Sequence, residues 1–377
     1  MRILFITYHY LNGKGGGVFA SRAYINAFAE IAEKMTLLFP IKDAMSPTGI
    51  NSKVELIPVE DKRSNLSKGI GWIVGRTNRY WPIDKYLNNF DYDIVVFDTS
   101  MVTPGIINQI KKKGIKIITI HHNFQYEYYR DNTRGLLRKP ILFWTNRFEQ
   151  ESVHESDLNL TLTQADLKLL LEHYGGNENC FEVLGTFEYE RRAHEIVPDV
   201  IEPRFLITGN LRASQSENSL LPWIDDYYPI LKKYFPDATL TLAGKSPSDR
   251  LIAKAKQHGI DIISSPESML PILAQAKYYI CATSLGGGLK LRVMDGLQAG
   301  LPVLCHSVSA RGYEVFAEKG LLLVYNDQAS FCKQLEKLKT IKVNKQEAIA
   351  VYEEFFSFES GLLRLKKLML KHHLLNE

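Results

Sequence analysis

The chain has 377 residues, 45% apolar and 23% charged, with 46 Lys and Arg against 42 Asp and Glu for a formal net charge of +4. That length exceeds what one hydrophobic core usually supports, which predicts two domains of ordinary size and excludes a disordered chain. A mild global excess of +4 is too small to imply a nucleic-acid-binding role, which needs a concentrated basic stripe, and no stretch approaches the roughly 18 apolar residues that span a bilayer.

The first apolar run, Ile3 to Thr7, has strand length and no longer apolar core or cleavage site behind it, so a cytosolic protein is expected, meeting a membrane only peripherally and at its inner face. Asn12-Gly13-Lys14-Gly15-Gly16-Gly17 follows and leads into a helical pattern from Ala20 to Lys34. It is not the dinucleotide fingerprint, because its last three glycines are contiguous and no acidic residue follows the next strand at the spacing a ribose needs. Bare backbone at Gly16 and Gly17 would admit a phosphate group; a tight turn is the plain alternative.

Further strand-like runs are Lys53 to Pro58, Asp93 to Asp98, Ile115 to Ile120 and Leu158 to Thr163, alternating with helical patterns over Val102 to Lys113, Phe143 to Ser156 and Gln164 to Tyr174. This βα rhythm predicts a parallel α/β sheet. Ligands meet such sheets at the loops after strands. His121 and His122 stand at one such strand end, and either could donate to a leaving or attacking oxygen near neutral pH, unless it is satisfied by neighbouring backbone. Asp91-Tyr92-Asp93 precedes a strand, on the wrong edge for a metal site, so no metal is expected. Lys62 to Trp81 and Arg130 to Trp144 mix cations with aromatics and read either as faces for anionic lipid or as solvated surface.

Glu188 to Pro203 breaks the pattern as a linker would, dividing an N-terminal domain at 1–190 from a second at 191–345, with C-terminal helices over 346–377. The second βα series runs through strands Arg204 to Thr208, Thr239 to Ala243, Ile260 to Ile263, Tyr278 to Ala282, Pro302 to Cys305 and Gly320 to Val324, with helices at Asn218 to Tyr234, Asp249 to His258 and Leu289 to Ala299. Two doubly wound, Rossmann-like domains facing across a cleft follow. Cys180, Cys281, Cys305 and Cys332 form no close pair in sequence, and Cys281 and Cys305 fall in buried runs, so they read as core thiols of a reduced protein.

The segment with the most chemistry is Gly286-Gly287-Gly288-Leu289-Lys290-Leu291-Arg292-Val293-Met294-Asp295, between a strand and a helix. Glycines before a helix expose N–H groups at its positive end, Lys290 and Arg292 add full charges for a diphosphate, and Asp295 can accept from ribose hydroxyls. A flexible loop with two solvated cations is the bland reading.

With Gly296-Leu297-Gln298-Ala299-Gly300-Leu301-Pro302-Val303 behind it, this segment resembles the donor-site motif of family 4 retaining glycosyltransferases of the GT-B fold. That family usually has a Thr-Arg pair after the glycines, a Lys two residues later and a Glu three beyond. Here Leu289, Lys290, Arg292 and Asp295 stand there, and Gly287 occupies the place of a second Glu. Thr208-Gly209-Asn210-Leu211, with Arg212 in place of a frequent Lys, is similar to the loop that opens the family's C-terminal domain, and Leu242-Ala243-Gly244-Lys245 to the strand end bordering its nucleotide. The resemblance implies catalytic roles for His121, His122, Lys290 and Arg292. It implies donor contacts at Gly16, Gly17, Gly209, Arg212, Gly244, Lys245, Gly286, Gly287, Gly288, Leu289 and Asp295.

The implied activity is transfer from a nucleotide-sugar to a saccharide or lipid-linked acceptor, with retention, no metal and no cofactor. The rivals are a nucleotide-sugar epimerase of the same fold and a donor-binding subunit without catalysis; the missing fingerprint counts against a nicotinamide-dependent reductase.

Overall fold

The computed structural model describes residues 1–13, 15–41, 47–87, 90–192, 194 and 197–375; Lys14 of the first glycine-rich loop lies outside them. The chain divides into two compact units, the first made of Met1–Arg191, Gly287–Leu289 and Phe356–Glu377, the second of Arg192–Gly286 and Lys290–Phe355.

Among the described residues the first unit carries seven strands: β1 Arg2–Ile6, β2 Lys34–Ile41, β3 Val54–Glu60, β4 Ile94–Phe97, β5 Lys116–His121, β6 Leu158–Thr161 and β7 Phe181–Val183. All pair in parallel in the order β3-β2-β1-β4-β5-β6-β7. Parallel strands need cover on both faces, and the alternation of side chains supplies it. Ile3, Phe5, Val96, Ile118 and Ile120 enter one apolar core with helix Gly16–Ile31 and the C-terminal helix Phe358–Lys371. Leu4, Ile6, Val95, Phe97 and Ile117 enter another, on the opposite face.

Two strands were not expected. Lys34–Ile41 reads Lys-Met-Thr-Leu-Leu-Phe-Pro-Ile, with few β-branched residues and a proline, yet it is buried from Met35 to Pro40 between β1 and β3. Tertiary pairing overrides its weak local preference. Phe181–Val183 is too short to show a period and is held by register with Asn159–Thr161.

The second unit, again among the described residues, has β8 Arg204–Asn210, β9 Thr239–Lys245, β10 Asp261–Ser264, β11 Tyr278–Cys281, β12 Val303–His306 and β13 Leu322–Tyr325. All are parallel, in the order β10-β9-β8-β11-β12-β13. Its core gathers Phe205, Ile207, Leu240, Leu242, Ile280 and Leu304 around Trp223. The pattern expected over Asn218 to Tyr234 resolves into Ser214–Asp226 and Tyr228–Tyr234, the second opening on Pro229, which supplies no N–H and disfavours helix before it. Cys281 and Cys305, distant in sequence, are buried opposite one another in β11 and β12 as free thiols.

In each sheet the strand order reverses once, between β1 and β4 and between β8 and β11. Loops beyond the carboxyl ends of such strands diverge and leave room for a ligand. Among the described residues no helix is long and apolar enough to cross a membrane.

Candidate donor and acid–base sites

At the β8/β11 reversal the second unit builds a floor from two glycines. Gly209 and Gly244 are register partners at the ends of β8 and β9, and a β-carbon on Gly244 would stand 1.7 Å from the Gly209 carbonyl oxygen. Gly209 has φ 136°, and a β-carbon there would come within 3.1 Å of Arg292 Cζ, so the guanidinium lies over the bare backbone. Arg292 Nη2 donates to Ser216 Oγ at 2.8 Å, which fixes its fork.

The loop after β11 turns through Gly286 and Gly288, with φ of 80° and 69° in the left-handed region that glycine tolerates. The helix expected from Leu289 starts only at Arg292 and ends at Gln298, because these turns delay it; Arg292 is therefore its first residue. A β-carbon on Gly286 would lie 2.3 Å from Gln215 Nε2, so a side chain here would have to displace Gln215 as well as adopt a left-handed backbone. Lys290 is 8% exposed and its Nζ donates to the Gly286 carbonyl at 3.2 Å, drawing the loop around an ammonium group. Gly287, Gly288 and Leu289 count with the first unit, Leu289 packing at the edge of its core. Arg212 and Lys245, just beyond β8 and at the end of β9, are exposed cations.

Asp295, one turn into the helix, accepts from Thr208 Oγ1 at 2.6 Å. Burial pushes its carboxyl above the usual range, offset in part by the Thr208 hydrogen bond and the Arg292 charge. Arg292 over bare glycine backbone, with Lys290 in the following loop and Arg212 and Lys245 at the ends of the neighbouring strands, makes a set of cations and open N–H groups that suits a diphosphate.

At the β1/β4 reversal the first unit builds a second constellation. The two expected histidines part company, because successive residues of extended chain point to opposite sides. His121, the last residue of β5, is 1% exposed and bonds Asn159 Oδ1 at 2.9 Å, and burial lowers its pKa to about 4. His122 turns the other way and bonds Asp98 Oδ1 through Nε2 at 2.7 Å. Asp98 Oδ2 accepts from Thr7 Oγ1 and from Ser21 Oγ at 2.6 Å. Burial opposes charge on Asp98, but His122, then His9 and Ser21, bring its carboxyl below the ordinary value. A neutral His122 bonded in this way keeps its proton on Nε2 and its lone pair on Nδ1, which has no protein partner.

His9 stands beside His122, with ring centroids 5.3 Å apart, and burial together with the His122 charge lowers its pKa to about 4. Its ring rests on the start of helix Gly16–Ile31, where a β-carbon on Gly17 would lie 2.6 Å from it; Gly16 is the helix's first residue. Arg79 lies over the rings of Tyr8 and Tyr10 at 5.0 and 5.2 Å and donates to Tyr10 Oη at 3.1 Å. Among the described residues His9, Asp98 and His122 are the group whose possible metal-ligating atoms lie mutually within 4.8 Å, but Asp98 Oδ1 and His122 Nε2 are committed to each other. The expected edge location of Asp91 and Asp93 holds, both paired to Arg2 at the opposite end of the strands.

Sequence reasoning missed Asp98, His9, Thr7 and Ser21 on this side and Thr208 and Ser216 on the other. The one legible signal was a carboxylate directly after the apolar run of β4, since a buried strand seldom ends on an unpaired acid.

Residues 202–340 match the sequence model of a family described as Glycosyl transferases group 1. A curated relative, an uncharacterized 44.6 kDa protein in the cps region of Klebsiella pneumoniae, is 21% identical over 262 residues, which make up 66% of this chain and 65% of that protein. The match thus spans just under two thirds of that relative. Among solved structures, the apo lipopolysaccharide outer core galactosyltransferase WaaB has a TM-score of 0.66 at 13% identity, with 98% of this chain and 99% of that one covered. HepE from Anabaena in complex with UDP has a TM-score of 0.64 at 12% identity, covering 98% and 100%. Sucrose-phosphate synthase from Thermosynechococcus elongatus has a TM-score of 0.71 at 11% identity, covering 98% and 99%.

Proposed function

With residues 202–340 in Glycosyl transferases group 1 and the whole chain in the GT-B fold, we propose that this protein moves a glycosyl group from a nucleoside-diphosphate sugar to a saccharide or lipid-linked acceptor. The transfer proceeds with retention at the anomeric carbon and needs no metal. One observation carries the reading: Arg292 lies over the bare backbone of Gly209 at the reversal of the second sheet, in the segment whose loop Lys290 ties to the Gly286 carbonyl.

The bond from the anomeric carbon to the diphosphate oxygen breaks and its electron pair passes to the diphosphate; the acceptor oxygen forms the new bond on the same face as its proton passes to the departing diphosphate oxygen. Arg292 and Lys290 stabilise the charge that grows on the leaving diphosphate, work that a metal performs in other enzymes. In the first unit the Asp98–His122 pair supplies an oriented imidazole, of use in holding the transferred sugar or the attacking hydroxyl. His121, enclosed against Asn159, supports the strand that presents it. The aromatic and cationic set Tyr8, Tyr10 and Arg79 suits a sugar ring.

HepE, solved with UDP and with UDP-glucose, makes UDP-sugars the first donors to test, and WaaB, a lipopolysaccharide outer core galactosyltransferase, makes a cell-surface glycan the first acceptor class. The test incubates the protein with UDP-sugars and oligosaccharide or lipid-linked acceptors, with and without EDTA, and follows UDP release and the anomeric signal of the product by NMR. Retained configuration in the presence of EDTA supports the proposal. Epimerised donor without a new glycosidic bond, inverted product, or loss of turnover with EDTA contradicts it.

A further inference from the structure

Helix Asn65–Val74 wears its apolar residues outward. Leu66, Ile70 and Ile73 follow at steps of four and three, one stripe of a helix. Leu66 is 75% exposed, Ile70, Ile73 and Val74 are half exposed or more, and only Gly71 is buried. A soluble helix ordinarily turns such a stripe to the core. Its inner side rests instead on the segment that runs into helix Arg138–Glu155: Trp144 Nε1 donates to the Ile73 carbonyl at 3.2 Å, and Gly69 faces Leu137. That segment is equally open, with Leu136 99% exposed and Phe143 more than half. Trp72 and Tyr129 meet edge to face between the two, at 5.8 Å.

Charge on this face is one-sided. Residues 62–83 hold Lys62, Arg63, Lys68, Arg76 and Arg79 with no Asp or Glu, and residues 132–148 hold Arg134, Arg138, Lys139 and Arg147 with none either. The chain as a whole is nearly balanced, at 46 cations to 42 acids, so the segregation is local. Asp61 and Asp131, which flank the two segments, are ion-paired to Arg63 and Arg130. Arg76, Arg134 and Lys139 are exposed among the apolar groups.

We propose that this face docks on an anionic lipid bilayer. Helix Asn65–Val74 lies in the plane of the interface with Leu66, Ile70, Ile73 and Val74 at the acyl boundary, Leu136 and Phe143 enter beside it, and Arg76, Arg134 and Lys139 meet lipid phosphates. A second copy of the chain is the poorer occupant, because it would bring the same cations against these. The inference stands apart from the glycosyl-transfer reading: it needs neither donor nor acceptor.

The test is cosedimentation of the full chain with vesicles of phosphatidylcholine alone or with about a third phosphatidylglycerol, at low and high salt. The protein is expected to pellet with the anionic vesicles and to be released by salt. Arg76→Glu with Lys139→Glu should weaken that binding by about thirtyfold or more, taking roughly fivefold per cation lost near the surface. Ile70→Ser with Ile73→Ser, and Leu136→Ser alone at its fully open position, should weaken it at least about tenfold, from the apolar area withheld from lipid. Equal binding to neutral and anionic vesicles, or full binding by the charge-reversed and serine variants, overturns the proposal. So does a solution dimer that the isoleucine substitutions dissociate, which would give the face to a second copy.

Discussion

Replacing Arg292 by Ala probes the donor site most directly. Among the described residues the guanidinium donates to Ser216 at 2.8 Å and stands over Gly209 with no side chain beneath it, and the proposed reading gives its further N–H groups to the diphosphate. A charge-assisted hydrogen bond contributes about 1.5–3 kcal/mol, which converts to roughly 10- to 150-fold weaker nucleotide binding. Arg292→Lys should fall between, since it keeps the charge and loses the planar fork. Ser216→Ala removes only the internal partner and should leave affinity within about fivefold, at about 1 kcal/mol or less for a bond the freed guanidinium can remake elsewhere. The assay is calorimetric titration with the nucleoside diphosphate that most stabilises the wild type, each variant first shown to melt cooperatively. A folded Arg292→Ala protein that binds that nucleotide as tightly as wild type would refute the assignment.

Three further outcomes follow from the geometry. Gly244→Ala must part β8 from β9 at the Gly209 carbonyl and should cost about 3 kcal/mol or more, read by urea unfolding; an unchanged midpoint would show that the sheet yields there. Asp98→Asn removes the carboxylate that orients His122 and should lower kcat by about a hundredfold while nucleotide affinity stays at the wild-type value; a matched loss of affinity would mean general damage. Stability should fall with acid. His9 and His121 are displaced from 6.5 to about 4, so between those values the unfolded chain binds more protons, and their contribution is full above about 6.5 and lost as pH drops towards 4, at most about 3 kcal/mol each. Glu149, pushed up to about 8 by burial despite three donors, works the opposite way as pH rises from its ordinary 4.5. Unfolding free energy should therefore still rise from pH 4.5 to 6.5, and a flat or falling profile would contradict the two buried imidazoles.

Elements with their own local signals were legible in the sequence. Helix Gln164–Tyr174 falls where its pattern placed it, because Thr163 caps it by accepting from the Asp166 N–H and Gly175 ends it with φ 70°. The buried Val- and Ile-rich strands were equally plain, and the order of βα units led to two parallel sheets, while the GT-B fold was expected from the resemblance carried by Gly286 to Val303. Strand Lys34–Ile41 was not, since it owes its conformation to two neighbours far along the chain. At the proposed donor site the glycines, Lys290, Arg292 and Asp295 stood out as a local motif. Ser216, on another element, carried no mark, and Thr208 stood out only as part of a loop motif with no sign that it would hold Asp295. The histidine pair shows the same limit: two adjacent residues looked equivalent, and only the direction of β5 put one in the core and the other on Asp98.

Helix Asn65–Val74 has one more consequence, for motion. With Gly71 its only fully buried residue, melting it exposes little apolar surface beyond its contacts with Trp144, Leu137 and Tyr129, so the event carries less heat capacity and denaturant dependence than opening a core strand. Its hydrogen bonds are secured mainly by the Ser64 cap, the left-handed Gly75 and the Trp144 bond to Ile73. Amide protons of this helix should thus exchange with solvent by local opening while those of β1 and β4 wait for global unfolding, and a surface that slows the first set without touching the second would reveal itself by that protection alone.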